Sequence, residues 1–170
     1  SGLISRLGGR LKFGKELEVR LLFYDATPGK DTHDTYTNFS SIVLRLRYDS
    51  VSFLFMGDAP KAVEESLLAR YHDTLKSTVL KVGHHGSRTA SGKAFLDVVS
   101  PRYAIVCAGR RHTLPKDEVL ARLRQCGAEV WRTDDHDAEE HKKSTAAYGD
   151  DDIIITTDGK NPRPQVRWSR

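Results

Sequence analysis

The chain has 170 residues, 38% of them hydrophobic and 29% charged, with a formal net charge of +4. That balance describes one globular domain with a real core and excludes a chain disordered throughout. No run approaches the roughly 20 apolar residues of a membrane helix, and Cys107 and Cys126 are too few for a disulfide framework and form no C-x-x-C pair.

Residues 1–16 carry Gly8-Gly9 and Gly14 among basic side chains and are expected to form a flexible or truncated lead-in to a domain over 17–170. Leu17 to Tyr24 predicts a strand, and the Pro, Gly, Asp and Asn content of Asp25 to Phe39 predicts turns. Ser41 to Tyr48 alternates with period two. Ile42, Leu44 and Leu46 share one face, while Val43, Arg45 and Arg47 share the other. Asp49-Ser50 then turns the chain into Val51 to Met56, which is apolar on both faces except at Ser52 and is therefore expected to be central and covered. A helix with Pro60 in its first turn runs to about Tyr71, followed by a strand from Thr78 to Val82. Ser91 is expected to cap a second helix carrying Phe95, Leu96, Val98 and Val99. Tyr103 to Ala108 forms the next strand, with Cys107 as a small buried hydrophobe. Thr113 is expected to cap a third helix that Gly127 stops, ahead of a strand from Ala128 to Arg132. A charged connection over 135–151 leads to a closing hairpin at 153–157 and 165–168. Strands starting near 51, 78, 103 and 128 recur at the spacing of strand–helix–strand units. The expected fold is α/β, a mixed sheet flanked by helices.

Two strand ends carry the chemistry. Val51 to Met56 runs into Gly57-Asp58, and Thr78 to Val82 runs into Gly83-His84-His85-Gly86-Ser87. Neighbouring parallel strands would bring a carboxylate and an imidazole pair to one sheet edge, the edge at which ligands bind in open α/β folds. Carboxylate and imidazole suit zinc, manganese or iron. A helix-cap role for Asp58 also stays open, since aspartate is a preferred cap. The two histidines are harder to explain by packing, because Gly83 and Gly86 bracket them where the chain must turn. Basic clusters at 6–15, at Arg102, at Arg110-Arg111 and at 163–170 favour a polyanionic partner such as nucleic acid.

These residues also carry a family resemblance. Asn38 to Leu46 (N-F-S-S-I-V-L-R-L), Val51 to Ala59 (V-S-F-L-F-M-G-D-A) and Leu80 to Ser87 (L-K-V-G-H-H-G-S) resemble successive segments of metallo-β-lactamase-fold hydrolases. Pro101 to Val106, Val130 to Asp134 and Thr156 to Lys160 resemble their later strands, and the combination is most similar to the hydrolase domain of ComEC-like DNA-uptake proteins. The resemblance implies a metal-dependent phosphodiesterase or nuclease using two divalent ions, zinc or manganese. Asp58 would bridge the metals. His85 or His84 would ligate one of them or protonate the leaving oxygen. Ser87, Arg88 and, by substitution for a histidine of the family pattern, His112 would contact substrate phosphate.

The family's H-x-H-x-D-H string is absent; His33 is the one histidine before Asp58. The resemblance therefore implies the C-terminal half of an αββα sandwich. Catalysis by this chain alone is expected to be poor, and a parent protein tethered to a membrane is compatible with it. A sheet face bearing Leu44, Phe53 and Phe55 should lack cover and invite the missing N-terminal half, a partner chain or self-association. A noncatalytic nucleic-acid-binding or interaction module with a degenerate metal site is the alternative.

Overall fold

The computed structural model describes residues 9–14, 16–25, 36–108, 113–134 and 152–169. Seven strands form one sheet in sequence order: β1 (Arg10–Phe13), β2 (Leu17–Phe23), β3 (Val43–Tyr48), β4 (Val51–Phe55), β5 (Val79–Lys81), β6 (Tyr103–Val106) and β7 (Glu129–Arg132). A four-residue helix, α1 (Tyr36–Phe39), precedes β3. Strands β1 to β4 pair antiparallel and β4 to β7 pair parallel, so the sheet is mixed. Parallel neighbours need crossovers, which α2 (Lys61–Tyr71), α3 (Lys93–Val99) and α4 (Asp117–Gln125) supply. The lead-in thus contributes an edge strand at Arg10–Phe13 instead of being wholly flexible. Among the described residues no helix is long and apolar enough to cross a membrane.

The two faces of the sheet differ. On one, Leu54, Leu80, Ala104 and Val106 pack with Val63 and Leu67 of α2, Phe95 and Leu96 of α3, and Val119, Leu120 and Leu123 of α4. A single row of in-register positions crosses the whole sheet on this face: Arg10, Arg20, Arg45, Leu54, Leu80, Ala104 and Val130. It is apolar where helices lie over it and cationic over β1 to β3. On the other face, Val79, Tyr103 and Ile105 pack with Phe53, Trp131, Ile153, Ile155 and Val166. The last three belong to β8 (Ile153–Thr156) and β9 (Gln165–Trp168), an antiparallel hairpin that stands as its own two-stranded sheet. Trp168 lies against Trp131, with ring centroids 4.2 Å apart. At the hairpin's far end the Ser50 amide donates to the Gly159 carbonyl at 2.9 Å. Gly159 has φ +77°, and a Cβ there would lie 2.8 Å from the Tyr48 ring.

Three expected caps are not caps. Pro60, Gly92 and Lys116 occupy the N-cap positions of α2, α3 and α4, none with a side-chain cap bond. Ser91 and Thr113 have φ of 56° and 49°, whereas an N-cap residue needs extended backbone. Buried Glu64 of α2 does the capping work for α3: its carboxylate accepts the Ser91 amide at 2.5 Å and the Gly92 amide at 2.9 Å. Gly127, at φ +85°, ends α4 as expected. Cys107 is half-buried instead of buried.

Candidate functional site

The site forms where β4 and β5 end side by side. Beyond Phe55 the chain turns at Gly57, whose φ of +58° lets the backbone pass close to Ser41. The Asp58 amide donates to Ser41 Oγ at 3.0 Å. Beyond Lys81 the segment Gly83–Gly86 forms a tight turn in which His84 and His85 both adopt left-handed backbone, φ 46° and 53°. Non-glycine residues occupy that region at a cost, and consecutive ones mark a functional or over-determined turn. The turn is pinned on both sides: the His84 amide donates to the Gly57 carbonyl at 3.0 Å and the Lys116 amide to the Gly86 carbonyl at 3.0 Å. Gly86 has φ +78°, and a Cβ on it would stand 2.5 Å from Pro115 Cβ.

This geometry sends the two imidazoles in different directions. His85 Nε2 lies 3.3 Å from Asp58 Oδ1. Its other nitrogen, Nδ1, is 2.6 Å from the Cys107 carbonyl oxygen. A carbonyl only accepts, so Nδ1 must carry a proton. Neutral His85 would then point the Nε2 lone pair at a carboxylate, which is also an acceptor. Two acceptors at this distance repel unless a cation, either a proton on Nε2 or a metal ion, lies between them. The pair is half-exposed to solvent. His84 Nδ1 instead meets Thr89 Oγ1 at 3.1 Å, and the Ser87 hydroxyl meets the same atom at 3.0 Å.

Of the residues singled out in the sequence, the structure thus joins Asp58 to His85 and joins His84 to Ser87 through Thr89. Arg88 extends outward, its Nε 3.5 Å from Glu118 Oε1. His112 lies outside the described residues. Asp58 sits two residues before the N-cap of α2, so its cap role is overturned. Two contributors carry no sequence signature, the Cys107 carbonyl and the Thr89 hydroxyl, while Ser41 lies in the Asn38–Leu46 segment but is not singled out there for the site. Among the described residues no group of three or more His, Cys, Asp or Glu side chains is placed to hold a metal. Among the described residues the facing donors are one carboxylate and one imidazole.

The chain is 32% identical over 126 residues to ComE operon protein 3 of Bacillus subtilis (strain 168), covering 73% of the chain and 16% of that protein. It is 40% identical over 99 residues to Competence protein ComA of Neisseria gonorrhoeae, covering 57% of the chain and 14% of that protein. The chain is similar to competence proteins. Recombination protein 2 of Haemophilus influenzae is a further relative, 37% identical over 99 residues, with 56% of the chain and 12% of that protein covered. The chain thus spans well under a fifth of the length of each of these curated relatives. No family model matches it.

Proposed function

We propose that this chain is a segment of a DNA-uptake protein that carries half of a metal-dependent phosphodiesterase site, in the second half of a metallo-β-lactamase-like sandwich. The observation that carries the reading is His85, with Nδ1 fixed on the Cys107 carbonyl and Nε2 facing Asp58. An imidazole oriented by a carbonyl at one nitrogen, with its other nitrogen beside a carboxylate, is an arrangement that suits a divalent transition metal such as zinc or manganese. Asp58 and His85 would hold the ion. When bound, it supplies an activated water and charge for the phosphoryl oxygens.

The chain's own residues do the rest. The glycine-bracketed turn fixes both rings before substrate arrives, so little reorganisation is needed at the reacting centre. His84, with Nδ1 beside the Thr89 hydroxyl, would deliver a proton to a leaving oxygen. Ser87 can donate to a non-bridging phosphate oxygen while Thr89 keeps its hydroxyl in place. Arg88, freed from Glu118, adds a fork-shaped donor for phosphate. The remaining ligands would come from beyond the described residues or from a partner chain.

The test uses two preparations. The 170-residue chain should bind Mn²⁺ or Zn²⁺ weakly in calorimetry, and His85→Ala should weaken that binding further, by about 10-fold or more. In the full-length parent, Asp58→Asn should abolish metal-dependent cleavage of DNA with the fold intact. Unchanged cleavage by that variant would sink the reading. A noncatalytic nucleic-acid-binding module is the second reading, favoured by the two-residue donor set. Metal-independent DNA binding by the full-length parent, with no cleavage under any divalent metal, would select it.

A further inference from the structure

The cationic part of the row that crosses the sheet lies away from the Asp58–His85 pair and takes no part in it. Arg10 faces Arg20 across one strand pair and Arg20 faces Arg45 across the next. Two residues along on the same face, Lys12, Glu18 and Arg47 stand opposite one another. Five cations therefore share a three-strand face with one carboxylate. A surface that merely needs solvation mixes its signs, because like charges directly opposed on neighbouring strands are destabilising. The cost is visible at Arg45. Burial depresses its proton affinity most, and the Arg47 and Arg20 charges lower it further against the opposing pull of Glu18.

The cations are also built in. Arg20 lies over the Tyr71 ring, 5.3 Å from its centroid, and its Nε is buried with no hydrogen-bond partner among the described residues. Arg45 donates to the Lys76 carbonyl at 3.0 Å and lies 3.4 Å from Ser77 Oγ. Arg10 is 3.7 Å from Glu18. Arg47, Lys12 and Arg10 stand exposed. The Arg45 row is in register with Leu54 and Leu80, so it stands four residues, roughly 13 Å along the strands, before Asp58 and His84.

We propose that this face of β1 to β3 binds the sugar–phosphate backbone of nucleic acid, at a site separate from the Asp58–His85 pair and without reading sequence. Four of its five cations are arginines, whose planar forks match phosphate oxygens. An anionic membrane fits less well, since a membrane-binding surface pairs its cations with apolar side chains that insert. Here the exposed Phe13 and Phe55 lie on the opposite face, as the register dictates.

The experiment measures binding of a fluorescein-labelled oligothymidylate to the 170-residue chain by anisotropy, in chelator, over a salt series. The chelator makes the measurement blind to any metal at Asp58 and His85, so failure of the proposed catalysis leaves this result standing. Arg10→Ser/Lys12→Ser/Arg47→Ser should weaken binding by about 10-fold or more at low salt. It should also flatten the slope of log affinity against log salt by about 2, as expected for three lost phosphate contacts. Arg163→Ser/Arg167→Ser, on the closing hairpin, should change both quantities far less. Thermal melts verify folding, and if the triple variant fails to fold, Arg47→Ser alone should flatten the slope by about 0.7. Unchanged affinity and slope in the folded triple variant overturn the proposal. So does an equal loss in the hairpin variant, or loss of binding to phosphatidylglycerol vesicles with oligonucleotide binding intact.

Discussion

Asp58 and Gly86 show what single positions contribute to the strand-end site. Asp58 makes no cap bond to α2, and its side chain faces His85. Asp58→Asn should therefore change the unfolding free energy measured in urea by less than about 0.5 kcal/mol while weakening Mn²⁺ binding, a separation that denaturation and calorimetry together can read. Gly86 is the opposite case. A methyl group there meets Pro115 and must also tolerate a φ of +78°. Gly86→Ala should lower stability by at least about 2 kcal/mol. Gly127→Ala has a similar φ but nothing within 4 Å of the new atom, so only the conformational cost of about 1 kcal/mol should appear. Equal thermal shifts for the two variants would remove Pro115 from the account of how the histidine turn is held. The sequence exposed the identities at this scale. The glycines bracketing His84-His85 announced a turn, but the partners that orient the rings are a backbone carbonyl and a threonine hydroxyl, which leave no pattern to read.

At the level of elements, period-two and helical spacing located β2 to β9 and the three crossover helices, because burial imposes those periods directly. The helix starts were another matter. Ser91 and Thr113 are the right residue types in front of apolar helices, yet both sit in left-handed turns, and the donors ahead of α3 are satisfied from α2 by Glu64 across 27 and 28 residues. A long-range cap cannot be read from neighbouring letters. It does leave a titration signature. Burial raises the Glu64 carboxyl above the ordinary carboxylate range, outweighing the two amide bonds that lower it. The folded chain holds this proton more tightly than the unfolded chain. The group's contribution to stability is therefore complete below its unfolded value and is lost as pH rises through its folded value. Comparing wild type with Glu64→Gln in urea from about pH 4 to pH 7, wild type should lose ground to the variant as pH rises. A difference that stays flat would mean the carboxyl is not held in a raised state.

Across the whole molecule, the sheet is covered unevenly. Phe53 was expected to lie bare, but the β8–β9 hairpin packs against it. Phe55 is 39% exposed and Ile42 52%. Beside them a groove of about 430 Å³ runs between Gly9, Leu11, Val19, Leu21, Tyr24, Ile42 and Leu44. Apolar surface of this kind favours association, so sedimentation of the isolated chain should show concentration-dependent oligomers that Ile42→Ser/Phe55→Ser reduces. A strictly monomeric wild-type chain at high concentration would count against it. The strand pattern made this face legible in Leu44 and Leu46, whereas the cover supplied by a separate hairpin depended on how distant segments meet. His84 and His85 both hold left-handed backbone, φ 46° and 53°. At each of them glycine would suit the main chain better than imidazole does, so His84→Gly and His85→Gly should melt no earlier than wild type while stripping the strand ends of their ring nitrogens. Robustness to heat and possession of chemistry would then trade against each other at two adjacent letters.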